Sequence, residues 1–322
     1  MWQRWLRRVA ARAEIEAVTT TEAGATPPEL VSPPRREGRR SARPHHPVFN
    51  EAAFRQAWRA VKANGGGPGT DGVDIARFEA DWQANIGRLL REIHQGTYRP
   101  QRVNRVLIPK RDDGLRPLAI WALRDRVAQR AVHNWLEPHF ESQFLACSHG
   151  FRPGRSVETA VAAVLQARDA DLRYVVDADI KDCFDSIDGE LLMMKLRSRV
   201  NDRKTLQVIE LWLRAGILNA DGRVRAAGAA QGGVLSPLLS NIYLHDFDLA
   251  VQKRKMRLVR YADDFVILCQ REQDAQAALK VAEQALARLK LEIQPTKTRI
   301  ASFDQGFKFL GFFFIRDEHY RL

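Results

Sequence analysis

After residue 48 the chain alternates between two hydrophobic spacings, and the spacing in force at each point predicts the element. In FNEAAFRQAWRAVKA the apolar positions return every three or four residues, which predicts an amphipathic helix ended by the glycine-rich loop NGGGPGTDG. RVNRVLIPK and LRPLAI read as two strands joined by the turn RDDG. DRVAQRAVHNWLEPHFE spaces Val127, Ala131 and Trp135 as a helix, with Asp125 placed as a cap or first-turn acid. SPLLSNIYLHDFDLAV predicts another helix, with Ser236 as its cap and Pro237 in its first turn. REQDAQAALKVAEQALARLK repeats Ala275, Leu279, Ala282, Leu286 and Leu289 and is expected to lie on a sheet. Helical and strand patterns that intermix in this way predict an α+β fold.

Two stretches set acids inside strand patterns. RYVVDADI alternates, so Asp177 and Asp179 share one face and Val176, Ala178 and Ile180 the other. VRYADDFVILC places Asp263 and Asp264 at or near a hairpin tip, where Asn-Gly or Asp-Gly would be ordinary. Adjacent carboxylates repel, and a charge on a strand in an apolar neighbourhood is costly unless it is paired or bound to metal. Hard divalent cations such as Mg²⁺ favour carboxylate oxygen, and two ions about 3.5–4 Å apart are the recurring apparatus of in-line phosphoryl transfer. A strand acid together with the hairpin pair can supply such a clamp. The alternation alone does not choose between Asp177 and Asp179.

Composition narrows the partners. The 322 residues carry 51 Lys and Arg against 39 Asp and Glu, a net charge of +12 that favours polyanions and salt-sensitive binding. Residues 1–47 hold nine Arg and five Glu and are rich in Pro and Thr, so they read as a basic, flexible N-terminal segment ahead of one folded domain over 48–322. MWQRWLRRVAAR at the start can form a short basic amphipathic helix. Cys147, Cys183 and Cys269 lie far apart with no C-x-x-C spacing, which indicates neither a zinc site nor a disulfide framework and fits a reducing cytoplasm. No apolar run reaches the roughly 18 residues that cross a bilayer, so no membrane partner is expected.

The blocks YADD at Tyr261–Asp264, DIKDCF at Asp179–Phe184, QGGVLSPLLSNIYL, IPKRDDGLRPLAI, HGFRPGRS, LEIQPTKTRI and FKFLGFFF occur in the order found in bacterial reverse transcriptases of the group II intron type, and the chain resembles that family from about Trp58 to Phe314. The resemblance implies a right-hand polymerase of fingers and palm, with a small antiparallel palm sheet backed by helices. It selects Asp179 as the strand acid, which with Asp263 and Asp264 would hold two Mg²⁺ ions, or Mn²⁺ as a substitute, while Asp177 supports the strand. It implies that Lys110 and Arg116 grip the triphosphate, that Phe184 excludes ribonucleotides, and that Gln231 and Gly232 face the nascent base pair. It further implies that Arg152 and Arg155 contact template phosphates, that Lys297 assists the leaving pyrophosphate, and that Leu310 and Gly311 lie in the primer grip. The implied activity is RNA-directed addition of dNTPs to a DNA or RNA primer on an RNA template.

Two departures from the family pattern alter the expectation. GAAQGG lacks the Pro that precedes the glutamine in many relatives. The chain also ends eleven residues after Gly311, where relatives usually continue into a helical thumb, so no thumb is expected and a partner, a neighbouring chain or a fused domain would supply that grip. The family also includes CRISPR-associated and antiphage enzymes. The alternatives to an active polymerase are a maturase-like RNA-binding scaffold and a truncated intron remnant.

Overall fold

The computed structural model describes residues 46–109, 115–218, 224–226, 229–252 and 256–322. The N-terminal amphipathic stretch, nearly all of the basic segment, the RDDG turn and Lys110 lie outside the described residues.

The first helix, α1 (Glu51–Asn64), begins where the Asn50 side chain accepts a hydrogen bond from the Ala53 amide, and it buries Phe54, Ala57, Trp58 and Val61 along one stripe. Two further helices follow, α2 (Ile75–Ala80) and α3 (Trp82–Gln95); the latter stops at Gly96, whose φ of 75° closes the last turn. Strands β1 (Val103–Pro109) and β2 (Leu115–Ile120) pair antiparallel as expected. Helix α4 (Leu123–Glu141) packs on α1. Asp125 is the acid of its first turn while Ala122 holds the cap position, and the buried Asp125 carboxylate accepts from the Tyr98 hydroxyl at 2.6 Å and the Gln101 amide at 2.9 Å.

The middle of the chain holds α5 (Val157–Asp169), β3 (Tyr174–Asp179), the short α6 (Cys183–Ser186), α7 (Gly189–Arg197), α8 (Arg203–Leu213), and strands β4 (Gly216–Leu218) and β5 (Val224–Ala226). Helix α5 starts with a reciprocal Ser156–Thr159 capping box. Strands β2, β1, β4 and β5 form one mixed sheet, in that order, with β1 and β4 parallel.

Helix α9 (Ser236–Gln252) includes Ser236 as its first residue, whose hydroxyl donates to the Ala230 carbonyl rather than capping. Strands β6 (Arg257–Tyr261) and β7 (Asp264–Cys269) follow, then α10 (Glu272–Arg288), a 3₁₀ turn (Pro295–Lys297) and β8 (Arg299–Ser302). The order β6–β7–β3–β8 makes a four-stranded antiparallel sheet. The C-terminal strands β9 (Phe307–Phe309), β10 (Phe312–Ile315) and β11 (Glu318–Arg321) form a third, antiparallel sheet.

The period of two divides the four-stranded sheet between two hydrophobic cores. Val176, Ala178, Leu258, Phe265 and Ile267 enter the large core against α9 and α10, as the Ala-rich stripe of α10 predicts. Val175, Val259, Val266 and Leu268 face a smaller core made with α5 and the phenylalanines 303, 307, 309 and 314. Asp177, Asp179, Tyr261 and Asp264 alternate onto this second face at the end the small core leaves uncovered.

Tyr98 ties the N-terminal helices to α8, since it also accepts from the Trp212 indole at 2.8 Å. Tyr98→Phe strands that donor and the Asp125 carboxylate, and should lower the free energy of unfolding by about 1–3 kcal/mol in urea titration.

Candidate active site

A two-residue turn, Ala262–Asp263, joins β6 to β7, with Ala262 at a φ of 59° and Tyr261 paired with Asp264 across it. On the other side Asp264 pairs with Asp179 of β3, and the Ile180 amide donates to the Asp263 carbonyl at 3.1 Å. Directly paired residues in a sheet carry their side chains on one face about 4.5–5.5 Å apart. Tyr261, Asp264 and Asp179 therefore form a row across three strands, with Asp263 at the adjoining tip. Beyond the row the Gln294 amide donates to the Asp179 carbonyl at 2.8 Å and anchors the 3₁₀ turn that carries Lys297, whose ammonium bonds the Asp179 carboxylate.

These groups enclose one open cavity of about 330 Å³ lined by Asp177, Ala178, Asp179, Asp263, Asp264 and Lys297. Its electrostatics follow from like charges in a confined space. Burial, then the charge of Asp179, pushes the Asp263 carboxyl above its ordinary value. Burial, followed by Asp179, Asp177 and Asp263, pushes the Asp264 carboxyl up to about 8. Asp177 is also raised by burial, although the Arg299 guanidinium at 3.0 Å pulls the other way. Its hydrogen bond to Asp179 raises Lys297, which keeps the ammonium charged. The donor set is carboxylate oxygen, the chemistry hard cations take, although among the described residues no group of three or more His, Cys, Asp or Glu is arranged to hold a metal ion.

The turn is held from beneath by residues that the motifs do not reveal. Arg260 is fully buried and donates to Asp248 of α9 at 2.7 and 2.6 Å, to Asn241 at 3.1 Å, to the Ser148 hydroxyl at 2.9 Å, and to the Ala262 carbonyl within the turn at 2.9 Å. Cys147 and His149 bond the Arg260 backbone on either side. Gly150 lies against the same turn, and a Cβ there would stand 2.4 Å from the Ala262 nitrogen. An arginine inside the apolar run RLVRY, with an aspartate on the otherwise apolar face of α9, was the available signal.

The remaining predicted residues among those described do not line the cavity. Gln231 and Gly232 sit against β2: the Ala119 amide donates to the Gln231 carbonyl at 2.8 Å, and Gly232, at a φ of 108°, packs where a Cβ would meet the Ala119 carbonyl at 2.5 Å. Arg116 is in β2 opposite Ile108. Phe184 is half-buried in α6, just past Asp182 at a φ of 43°. Leu310 and Gly311 make the β9–β10 turn, both at positive φ.

Arg152, expected at the template phosphates, is largely buried. Its guanidinium donates to Glu141 and to the Leu145 and Ser148 carbonyls and lies over the Phe144 ring, so it clamps the loop after α4. Arg155 is half-buried, with one long bond of 3.5 Å to the Ala146 carbonyl.

A sheet that carries a row of acids, with a cation across the cavity, defines a class of enzymes that act on phosphates, and comparison with known proteins narrows it. The chain belongs to the reverse transcriptases: the family described as "Reverse transcriptase (RNA-dependent DNA polymerase)" matches residues 108–314. Its relatives include group II intron-encoded proteins. The group II intron-encoded protein LtrA of Lactococcus lactis subsp. cremoris is 38% identical over 196 residues, 60% of this chain and 33% of that one. Protein YkfC of Escherichia coli (strain K12) is 36% identical over 290 residues, covering 77% of this chain and 76% of that protein. Telomerase from Candida albicans, solved with a fragment of telomeric RNA, shares the fold with a TM-score of 0.52 at 16% identity over 74% of this chain and 48% of its own. The chain thus spans a third of LtrA and about three quarters of YkfC.

The sign of the Asp264 shift sets a test. Below its ordinary value of 3.8 this carboxyl is protonated whether folded or unfolded; between there and about 8 the folded state resists ionisation, so stability falls as pH rises and the penalty is complete above 8. Asp264→Asn should therefore melt higher than the wild type in metal-free buffer, by a margin that widens from about pH 5 to about pH 8.5. Asp248→Asn, which leaves the Arg260 charge uncompensated, should cost about 3–5 kcal/mol of stability in denaturant titration.

Proposed function

We infer that this catalytic domain adds dNTPs to a primer 3′-hydroxyl on an RNA template, with Asp179, Asp263 and Asp264 as its acidic centre. The convergence of these three acids with Lys297 on one cavity carries the reading. Two Mg²⁺ ions, with Mn²⁺ as a substitute, would supply charge neutralisation for the attacking and leaving oxygens when bound. Asp179, Asp263 and Asp264 are the residues to hold them, and the raised carboxyls of Asp263 and Asp264 mark a site tuned for added positive charge.

Lys297, kept protonated by Asp179, is positioned to place positive charge and a proton near the departing pyrophosphate. The β1–β2 hairpin would bind the triphosphate through Arg116 and Lys110. The contact of Gln231 and Gly232 with β2 supports a nucleotide pocket between that hairpin and the acids. Phe184 would guard the sugar, Arg155 the template backbone, and the Leu310–Gly311 turn the primer. In this reading the four-stranded antiparallel sheet is the palm and the mixed sheet belongs to the fingers. The free, buried Cys147, Cys183 and Cys269 support a reducing, cytoplasmic setting.

The test is extension of a DNA primer on an RNA template with Mg²⁺ and dNTPs, beside the Asp263→Ala, Asp264→Ala double variant. The wild type should extend, and the variant should lose at least about a hundredfold in rate while it still binds RNA. Equal activity in both, or none in the wild type, would overturn the reading.

A further inference from the structure

Phe151 is placed where the packing alone gives it no reason to be. From Ser148 to Arg152 every neighbour is buried, yet the Phe151 side chain is 44% exposed. Its backbone has a φ of 57°, a left-handed conformation that is strained for a bulky residue and that glycine adopts freely. The surroundings impose that conformation: the Asn241 amide holds the Gly150 carbonyl at 2.9 Å, Gly150 is pressed onto Ala262, and the Arg152 guanidinium is fixed to Glu141 and two carbonyls. The loop is thus bound tightly to the underside of the acidic turn, and one aromatic ring is turned outward at a cost in strain.

That ring extends the row of side chains across the sheet. Its centroid lies 6.4 Å from that of Tyr261, at 43° between planes, and Tyr261 is paired with Asp264, which is paired with Asp179, which bonds Lys297. The row is therefore aromatic at one end and cationic at the other, with the acids between. In an in-line displacement the leaving pyrophosphate and the attacking hydroxyl lie on opposite sides of the reacting phosphorus. The polyanionic leaving group belongs at the Lys297 end, where the cavity has its cation. The attacking hydroxyl, and the nucleotide that bears it, then belong at the aromatic end.

We propose that Phe151, with Tyr261, forms an aromatic step that contacts the 3′-terminal nucleotide of the primer and sets its hydroxyl against the acids. The Phe151 ring itself offers only an apolar face, and stacking on such a face suits any terminal nucleotide. This assignment rests on the polymerase reading of the same site.

The informative variant is Phe151→Gly, which removes the ring and relieves the backbone at once, with Phe151→Tyr and Phe151→Trp as the conservative pair. The duplex is an RNA template annealed to a DNA primer that ends in 2-aminopurine, whose fluorescence is quenched on stacking. Phe151→Gly should melt at or above the wild-type temperature, lose the quenching, bind the recessed primer end about tenfold more weakly and extend it correspondingly less well, while Tyr and Trp restore both signals. Wild-type quenching and extension in the stable glycine variant would overturn the proposal. If the wild type quenches and the glycine variant does not, but neither extends the primer, the contact stands and the polymerase reading falls.

Discussion

A guanidinium shut away from water must find an acceptor for each N–H, and Arg260 finds five, drawn from α9, from the loop after α4 and from the turn it precedes. The fully buried Arg260–Asp248 pair is an expensive way to join a helix to a strand, since apolar residues of similar volume could fill the space with less desolvation. What the ion pair adds is direction. Leucine in its place would pack against α9 but could not hold the Ala262 carbonyl, and the turn that presents Asp263 and Asp264 would lose its anchor from below.

The same alternation that sends Arg260 into the large core sends Tyr261 to the opposite face. One residue therefore fixes the hairpin and the next begins the row that leads to the acids. Because β7 pairs with both β6 and β3, the carboxylates of Asp264 and Asp179 are set by sheet register rather than by loop conformation. Register is rigid, which allows repelling charges to remain adjacent. Lys297 meets part of that repulsion through Asp179, and Arg299 meets part through Asp177. The repulsion that remains appears as the raised carboxyls of Asp263 and Asp264.

Gly150 and Gly232 show how close contact, rather than flexibility, accounts for some glycines. Each lies where a Cβ would collide with backbone, Gly150 with the acidic turn and Gly232 with β2. The loops that carry them can thereby approach the sheet edges closely, which draws HGFRPGRS and the QGG segment in around one centre.

Spacing by itself determined the helices α1, α4, α9 and α10, the β1–β2 and β6–β7 hairpins, and the common face of Asp177 and Asp179, because period and turn chemistry are local properties. The motifs in their order indicated the family, and the resemblance alone prefers Asp179 to Asp177, since both line the cavity. Local pattern misjudged Ser236, which has the right residue type for a cap but lies inside the helix and donates to the Ala230 carbonyl, and it did not reveal that Arg152 is bound to Glu141. The sequence offered Arg260 and Asp248 only as charges in want of a partner; that they pair, and that the Phe151 ring is exposed, was decided by the fold. Asp248 lies 12 residues and Ser148 112 residues from Arg260, and only packing decides which distant groups satisfy a buried charge or hold a backbone in a strained conformation.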